Sequence, residues 1–213
     1  MDFYAIPELI GDLVQLEPLS VDHAPELAEA IAENDLYTTW VARLPAPENM
    51  LEDIETRLNQ NAEQQAVPWA IRRISDGRAV GVTTFLHIRP EDRRLEIGST
   101  WIASSAQGTG INAESKLLLL TYAFETLGCI AVEFRTHWHN HRSRRAIAAL
   151  GAKQDGVLRN HDLWRDGTVR DVVVFSVIDR EWPTVRLSLT EKLARRSVFP
   201  APVQSGTLRR PTP

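Results

Sequence analysis

The hydrophobic pattern of the first half of the chain predicts one strand, two helices and three more strands. Apolar and polar residues alternate over 12–19, which is the period of a strand with one buried face. After Ser20, a residue type that caps helices, apolar residues recur every three or four positions. The predicted elements are a strand at 12–19, helices at 20–34 and 48–63, and strands at 67–74, 78–88 and 93–103, with the stripe of the second helix formed by Met50, Leu51, Ile54 and Leu58.

Helical and strand-like segments alternate in the second half, which indicates an α/β layered sheet with mixed strand directions. Ser75-Asp76-Gly77 predicts a tight hairpin between two of the early strands, and Gly128 and Gly151 stand where helix C-caps are expected. The predicted elements are a helix up to Leu127 with a stripe of Ala113, Leu117, Leu120, Phe124 and Leu127, a strand at 130–137, a helix at 140–150, strands near 152–164 and 168–178, and a helix from Trp182 to about Arg196.

Composition indicates a single globular domain and argues against nucleic-acid-binding, membrane and disulfide-rich proteins. The 213 residues are 43% hydrophobic and 24% charged, typical of one globular domain, and the net charge of −4 gives no reason to expect nucleic-acid binding. No apolar run is long enough to span a membrane or to form a signal peptide, so we expect a cytoplasmic protein without a membrane partner. Cys129 is the single cysteine, which excludes a disulfide framework. The proline-rich tail 197–213 is expected to be loosely held.

The stretch "SAQGTGINAESKLLLL" (105–120) places two glycines directly before a strong helix. Such a turn directs backbone N–H groups and the positive end of the helix dipole at one point, which favours an anion, most naturally a phosphate. The alternative is a strand-to-helix turn that needs glycine for its geometry alone. A Walker loop is excluded because no Gly-Lys-Ser/Thr triplet follows. A Rossmann dinucleotide-binding motif is excluded because this turn lacks the third glycine of that motif.

The residues around this turn resemble the GNAT acyltransferases of the RimJ/RimL type. The family's phosphate loop reads Gln/Arg-x-x-Gly-x-Gly/Ala, and Gln107, Gly110 and Asn112 occupy its marked positions, with asparagine where a small residue is usual. "YAFETLG", "NHRSRRAI", "LGA", "DGVLR" and "REW" follow in the family's order. The resemblance implies acetyl-CoA as co-substrate, with its pyrophosphate on the backbone of Gln107, Gly108, Thr109, Gly110, Ile111, Asn112 and Ala113.

The same resemblance implies a fold and a domain plan. It predicts a mixed central sheet of about seven strands, splayed at the fourth and fifth strands, with helices on both faces. The acetyltransferase domain would cover 10–185, and 186–213 would form a C-terminal helix and flexible tail.

Glu96 and Gly98 lie on the strand before the turn. A glycine within a strand marks a bulge or a close backbone approach, and strand alternation puts Glu96 on one face beside Gly98 and Thr100. A carboxylate in a central strand needs a cleft or a partner, so Glu96 is either a base or ammonium anchor, or half of a structural ion pair with an arginine. In the resembled family, backbone N–H groups of this strand, here near Gly98 and Thr100, bind the acetyl carbonyl and pantetheine arm.

Asn140 and Ser143 lie on one face of their predicted helix, at the end of a stripe that continues with Ile147 and Leu150. Local rules allow a purely structural role, with Asn140 as N-cap. The resemblance implies instead that Asn140 contacts the pantetheine arm and that Ser143 protonates the departing thiolate. It also implies that Tyr37 and Trp40 border the acceptor pocket, although both rings suit a core equally well. "HNHR" offers no metal-ligand set, so no metal is expected.

These residues support two hypotheses of different classes. The first is an acetyl-CoA-dependent N-acetyltransferase that moves the acetyl group directly, in a ternary complex, to a protein or peptide N-terminus or a small amine. An α-amine has a pKa near 8, so roughly a tenth of it is neutral at pH 7, which suits a site with one modest base. The second is a catalytically silent acyl-CoA-binding sensor or scaffold. Either a monomer or a homodimer is compatible with the sequence.

Overall fold

The structure is a computed structural model that describes residues 1–164 and 166–198. Its elements follow the predicted order, and their bounds are β1 Leu9–Ile10, β2 Val14–Pro18, α1 Ala24–Ala32, α2 Met50–Ala62, β3 Val67–Arg73, β4 Arg78–Arg89, β5 Arg94–Ile102, α3 Ile111–Thr121, β6 Ala131–His137, α4 His141–Ala149, β7 Lys153–Leu163, β8 Val169–Ile178 and α5 Trp182–Val198. Short 3₁₀ turns precede α1, α2 and α3, and a π-helical turn at Tyr122–Thr126 continues α3 toward the predicted end at Leu127.

The strands form one mixed sheet in the order β1-β2-β3-β4-β5-β6-β8-β7. Neighbours pair antiparallel except β5 and β6, which run parallel because α3 connects them as a crossover. The predicted layered sheet is confirmed, with eight strands against the expected seven. The extra one is the two-residue β1, which pairs with β2 and is too short to leave a periodic signal.

Helices cover both faces of this sheet, as two adjacent residues of β4 demonstrate. Consecutive side chains of a strand point to opposite faces. The hydroxyl of Thr83 accepts a hydrogen bond from Lys116 of α3, whereas that of Thr84 accepts one from Arg57 of α2. α2 and α3 therefore lie on opposite faces. α1 packs beside α2, and α5 packs beside α3, where Trp182 stacks on Phe124.

The core lies between the sheet and these helices. Trp69 and Phe85 meet edge to face at 4.8 Å in its centre, and both are fully buried. Two predicted stripes need correction. Leu51 is 48% exposed because α2 turns Arg57 inward instead, and the buried face of α3 is centred on Lys116, Leu119 and Leu120 rather than on Leu117.

Glu114 fixes the start of α3 to the beginning of β2. Its buried carboxylate accepts hydrogen bonds from the backbone N–H groups of Asp12, Leu13 and Val14 at 3.0, 2.7 and 2.8 Å. A side chain on Gly11 would stand 2.6 Å from this carboxylate, so the turn needs glycine there. The helix that follows the glycine turn is thereby held in a set position over the sheet.

α5 begins at Trp182, as predicted, and buries Trp182, Val185 and Leu189 in the common core. It crosses the suggested boundary at 185, so the division into 10–185 and 186–213 stays a prediction. The tail expected to be loosely held lies outside the described residues from 199 onward. Within the described part of the chain, no helix combines the length and the apolar character that a membrane crossing requires.

Candidate active site

A cleft of about 850 Å³ opens where β5 and β6 part. The two strands pair only through Arg94, Leu95 and Glu96 of β5, so their continuations diverge. The splay at the fourth and fifth long strands is the one that the sequence predicts. The divergent strands line the cleft with Gly98, Ser99, Thr100, Trp101 and Ile102 on one side and Phe134, Arg135, Thr136 and His137 on the other.

The glycine turn forms one end of the cleft. Gly110 caps α3 with φ 104°, and Gly108 has φ 73°, conformations that favour glycine over any other residue. The first N–H groups of a helix have no partner within it, so this end presents donors to a ligand. Gln107, Gly108 and Asn112 line the cleft, whereas Thr109, Gly110, Ile111 and Ala113 are not among its lining residues.

Two side chains of the turn hold its shape. The Gln107 amide donates to the carbonyl of Ile102 at 2.9 Å, and the Thr109 hydroxyl donates to the carbonyl of Ala106 at 2.6 Å. The first bond ties the turn to the end of β5, and the second ties it to the 3₁₀ turn Ser104–Ala106. The side chains of these two residues therefore build the turn, and what the turn offers a ligand is its backbone.

A β-bulge at Ser99 shapes the wall of the cleft. The register between β4 and β5 shifts between Val82 and Thr84, and Ser99 adopts φ 47°, a left-handed conformation for a residue with a side chain. The bulge reverses the alternation of the strand, so Thr100 points to α3, where it meets Lys116. The prediction that Thr100 shares a face with Glu96 is therefore wrong, because simple alternation does not survive a bulge.

Glu96 is buried beside Gly98 on the α2 face. One carboxylate oxygen lies 2.8 Å from Nδ1 of His87 and 3.3 Å from Nε of Arg135, and a side chain on Gly98 would come within 2.6 Å of the other. Burial raises the pKa of Glu96 above its ordinary value, while His87 and Arg135 act in the opposite direction. The ion pair with an arginine, one of the two predicted alternatives, is present. Glu96 itself is not among the lining residues, although Gly98 and Arg135 are.

Asn140 and Ser143 both line the cleft, with Ile147 and Leu150 further along the same face of α4. This is the stripe that the sequence predicts. Asn140 also caps the helix, since its Oδ1 accepts from the backbone N–H of Ser143 at 3.0 Å. The cap and the cleft are compatible, because the capping bond uses the backbone of Ser143 and leaves its hydroxyl available.

The loop between α1 and α2 also lines the cleft, but through different residues from those expected. Leu36, Thr39 and the segment 41–44 line it, while the rings of Tyr37 and Trp40 do not. Trp40 is 61% exposed and packs edge to face against His137 at 5.6 Å.

Lys116 and Arg57 are cleft residues that sequence reasoning missed. Lys116 donates to the hydroxyls of Thr83 and Thr100, both at 2.9 Å, and burial lowers the pKa of its amine to about 7. Arg57 pairs with Asp53 at 2.7 Å and lies 3.5 Å from the Ser99 carbonyl at the bulge. A signal existed for Lys116, because it shares a helical stripe with Leu120 in an otherwise apolar run.

Comparisons with known proteins agree with this geometry. The family described as "Acetyltransferase (GNAT) domain" matches residues 14–153. YdaF of Bacillus subtilis (strain 168), provisionally named a ribosomal N-acetyltransferase, is 33% identical over 176 residues, which make up 81% of this chain and 95% of YdaF. A GCN5-related N-acetyltransferase from Brucella melitensis has a TM-score of 0.82 at 27% identity, over 89% of this chain and 86% of that chain.

A third relative shares the fold. Mycobacterium smegmatis RimJ in complex with CoA-disulfide has a TM-score of 0.72 at 21% identity, over 88% of this chain and 93% of that chain. The resemblance to RimJ/RimL-type proteins is confirmed by these relatives together. The chain belongs to the GNAT acetyltransferases, enzymes that transfer an acetyl group from acetyl-CoA to an amine.

Proposed function

We propose that this acetyltransferase moves the acetyl group directly to the N-terminal amine of a protein or peptide. The observation that carries the proposal is that the glycine turn, the bulge of β5 and the loop after α1 all line one cleft. Donor and acceptor can both enter this space, so transfer needs no covalent intermediate on the protein. The provisional name of YdaF, a ribosomal N-acetyltransferase, supports a protein acceptor.

The residues present fit acetyl-CoA. We assign its pyrophosphate to the backbone at 107–112, where positive φ angles and the helix start provide a cradle for an anion. The indole Nε1 of Trp101 is buried without a hydrogen-bond partner among the described residues, and Trp101 lines the cleft. A buried donor of this kind calls for a ligand or a water. Asn140, across the cleft, would meet the pantetheine arm.

Glu96 and His87 offer a route for the proton that the acceptor ammonium must lose. A raised pKa suits a base that works near neutral pH, and Glu96 is bonded to His87, whose side chain is 60% exposed. A proton taken up at Glu96, directly or through water, would pass to His87 and then to solvent. Arg135 at 3.3 Å opposes protonation, so the route depends on burial outweighing that charge.

Ser143 would relay to the departing thiolate the second proton that the acceptor nitrogen loses as the amide forms. It lines the cleft on α4 opposite β5, and the structure describes no partner for its hydroxyl. Asp162 of β7 lines the same cleft and adds a carboxylate for an ammonium group. Direct transfer therefore needs only three tasks, namely proton removal, carbonyl polarisation by backbone N–H groups near Gly98, and proton return.

A turnover screen tests the proposal. Wild-type protein, acetyl-CoA and a panel of short peptides, amino acids and polyamines are combined, and the release of free thiol is followed. We expect peptides with a free α-amine to be acetylated and the same peptides with a blocked N-terminus to be inert. Turnover confined to small amines would refute the acceptor class. Tight binding of acetyl-CoA with no turnover on any amine would favour the silent module.

A further inference from the structure

Lys116 carries a feature that acetyl transfer does not explain. Its amine is buried, with the residue only 5% exposed, and no carboxylate lies within ion-pair distance among the described residues. A buried ammonium without a counter-ion is costly, so its presence in a cleft points to a function or a ligand. A purely structural role would be met at a lower cost in free energy by an apolar side chain of similar volume.

The amine has one hydrogen-bonding position to spare. An ammonium has three N–H donors, and two of them go to the hydroxyls of Thr83 and Thr100 at 2.9 Å each. The two hydroxyls are also bonded to each other at 2.8 Å, so they fix the amine between β4 and β5. No third acceptor occurs among the described residues. Lys116 lines the cleft, so a ligand in the cleft is the acceptor that the third N–H can find.

The position of Lys116 beside β5 determines which part of the coenzyme it can contact. Under the function proposed above, the pyrophosphate lies at 107–112 and the acetyl carbonyl near Gly98. Thr100 stands between these two points along β5, and Lys116 is bonded to Thr100. The pantetheine arm that joins pyrophosphate to thioester must pass this position, and the arm contains two amide groups with carbonyl oxygens.

We propose that Lys116 is a binding residue for the amide-bearing arm of acetyl-CoA, to which it donates its third N–H. The inference rests on the proposed function. To the backbone donors of the turn it adds a side-chain contact from α3.

Proton linkage follows from this contact. In the free protein, burial lowers the pKa of Lys116 to about 7, so the amine is largely neutral at pH 8. A bound carbonyl and nearby phosphates favour the ammonium, so binding at pH 8 takes up a proton, and affinity falls as the pH rises above 7. The other titratable or charged side chains that line the cleft are Arg43 from the loop after α1, Arg57 from α2, Arg135 and His137 from β6, Arg142 from α4 and Asp162 from β7.

Calorimetry with two ligands tests the inference. Coenzyme A is compared with adenosine 3′-phosphate 5′-diphosphate, its nucleotide portion without the arm. Lys116→Met removes the amine and keeps the length of the side chain. We expect coenzyme A to bind about 10- to 100-fold more weakly, the range for a hydrogen bond from a charged donor, while the nucleotide binds unchanged. Lys153→Met, at an exposed lysine paired with Glu181, is the matched control and should change neither.

The outcomes separate the inference from the function. Wild-type protein that binds neither ligand would refute the proposed function itself. Equal weakening of both ligands in Lys116→Met, or of neither, would overturn the contact with the arm. If Lys116→Met does not fold, Lys116→Leu also removes every side-chain N–H donor and carries the same comparison. Calorimetric titrations of coenzyme A at pH 8, in two buffers of different ionisation enthalpy, measure the protons taken up on binding. We expect uptake in wild type and in His137→Asn, and none in Lys116→Met. Uptake that persists in Lys116→Met would also overturn the contact.

Discussion

Glu96→Gln should separate the catalytic from the structural role of the buried carboxylate. The change keeps the shape of the side chain and its hydrogen bond to His87, but it removes the charge and the ability to take up a proton. The carboxylate is 5% exposed, while its partners reach solvent, Arg135 through a side chain that is 28% exposed and His87 through one that is 60% exposed. The two roles predict different quantities to change.

The expected loss of stability is small. Breaking a fully buried ion pair costs about 3–5 kcal/mol because it strands a buried charge, but here His87 reaches solvent and Arg135 keeps its ion pair with Glu133. Burying the carboxylate is itself unfavourable, so its removal offsets part of the stability lost with the ion pair. We therefore expect about 1 kcal/mol or less, equivalent to a fall in Tm of about 2–4 °C for a chain of this size.

The pH dependence has a definite sign. Burial raises the pKa of Glu96, so the folded state disfavours ionisation, and wild type should lose stability relative to Glu96→Gln as the pH rises from about 4.3 through the folded pKa. Activity runs the other way, because the base works only when ionised. In wild type kcat/KM should rise through the raised pKa, whereas in Glu96→Gln the rise should move toward the pKa of the α-amine, near 8.

Steady-state rates from pH 5 to 9 and a melting curve at each pH provide both measurements. We expect a loss of about 10²- to 10⁴-fold at pH 6, recovered in part at pH 9. Glu133→Gln is the matched control, since Glu133 also contacts Arg135, at 3.0 Å, and contributes to the raised pKa of Glu96. That variant should keep its rate at pH 8 and shift the acid limb downward. A Glu96→Gln variant with a lower Tm and an unaltered pH–rate profile would end the catalytic assignment.

Three further changes test the site and the core. Ser143→Ala should lower kcat by about 10- to 10⁴-fold. The Kd of acetyl-CoA should change little, because the hydrogen bond that Asn140 accepts comes from the backbone N–H of residue 143 and survives the change. An unchanged kcat would remove Ser143 from the mechanism. Gly110→Val, at φ 104°, should abolish most of the coenzyme affinity measured by calorimetry. The control Gly77→Val, at φ 69° in an exposed hairpin, should leave that affinity unchanged. Equal affinity in both variants would refute the phosphate assignment. Cys129, whose pKa burial raises to about 12, should react with thiol reagents at pH 8 roughly a thousandfold more slowly than an exposed thiol, and rapid labelling of the folded protein would contradict its burial.

Local signals predicted the fold well, because most elements here obey local rules. Ser20 accepts from the N–H of Asp22 at the start of its helical segment, and Gly128 and Gly151 have the positive φ angles of helix C-caps. The glycine turn before α3 and the stripe that ends in Asn140 and Ser143 were also readable, since each depends on neighbours within a few positions. These are the features that periodicity and turn chemistry encode.

The missed features depend on contacts between distant parts of the chain. Glu114 accepts from residues about a hundred positions earlier, and Lys116 bonds to Thr83 across 33 positions. Thr100 was assigned to the wrong face because a bulge is a property of two paired strands, and its register is absent from either strand alone. The aromatic residues Tyr37 and Trp40 marked the correct loop, while the residues that line the cleft are their neighbours.

Three buried charged residues, Arg57, Lys116 and Glu114, link the fold to its chemistry. Arg57 on one face of the sheet and Lys116 on the other both bond to residues of the bulge at Ser99–Thr100, while Glu114 fixes the start of the helix that carries Lys116. A residue such as Ser99 at φ 47° persists only where its surroundings overdetermine its conformation. The bulge in turn coincides with the point where β5 leaves β6, and without that divergence no cleft would exist for the arm of a coenzyme. Arg57 and Lys116 therefore contact the wall of the gap in which we propose that acetyl transfer takes place, and Glu114 positions the helix that carries Lys116.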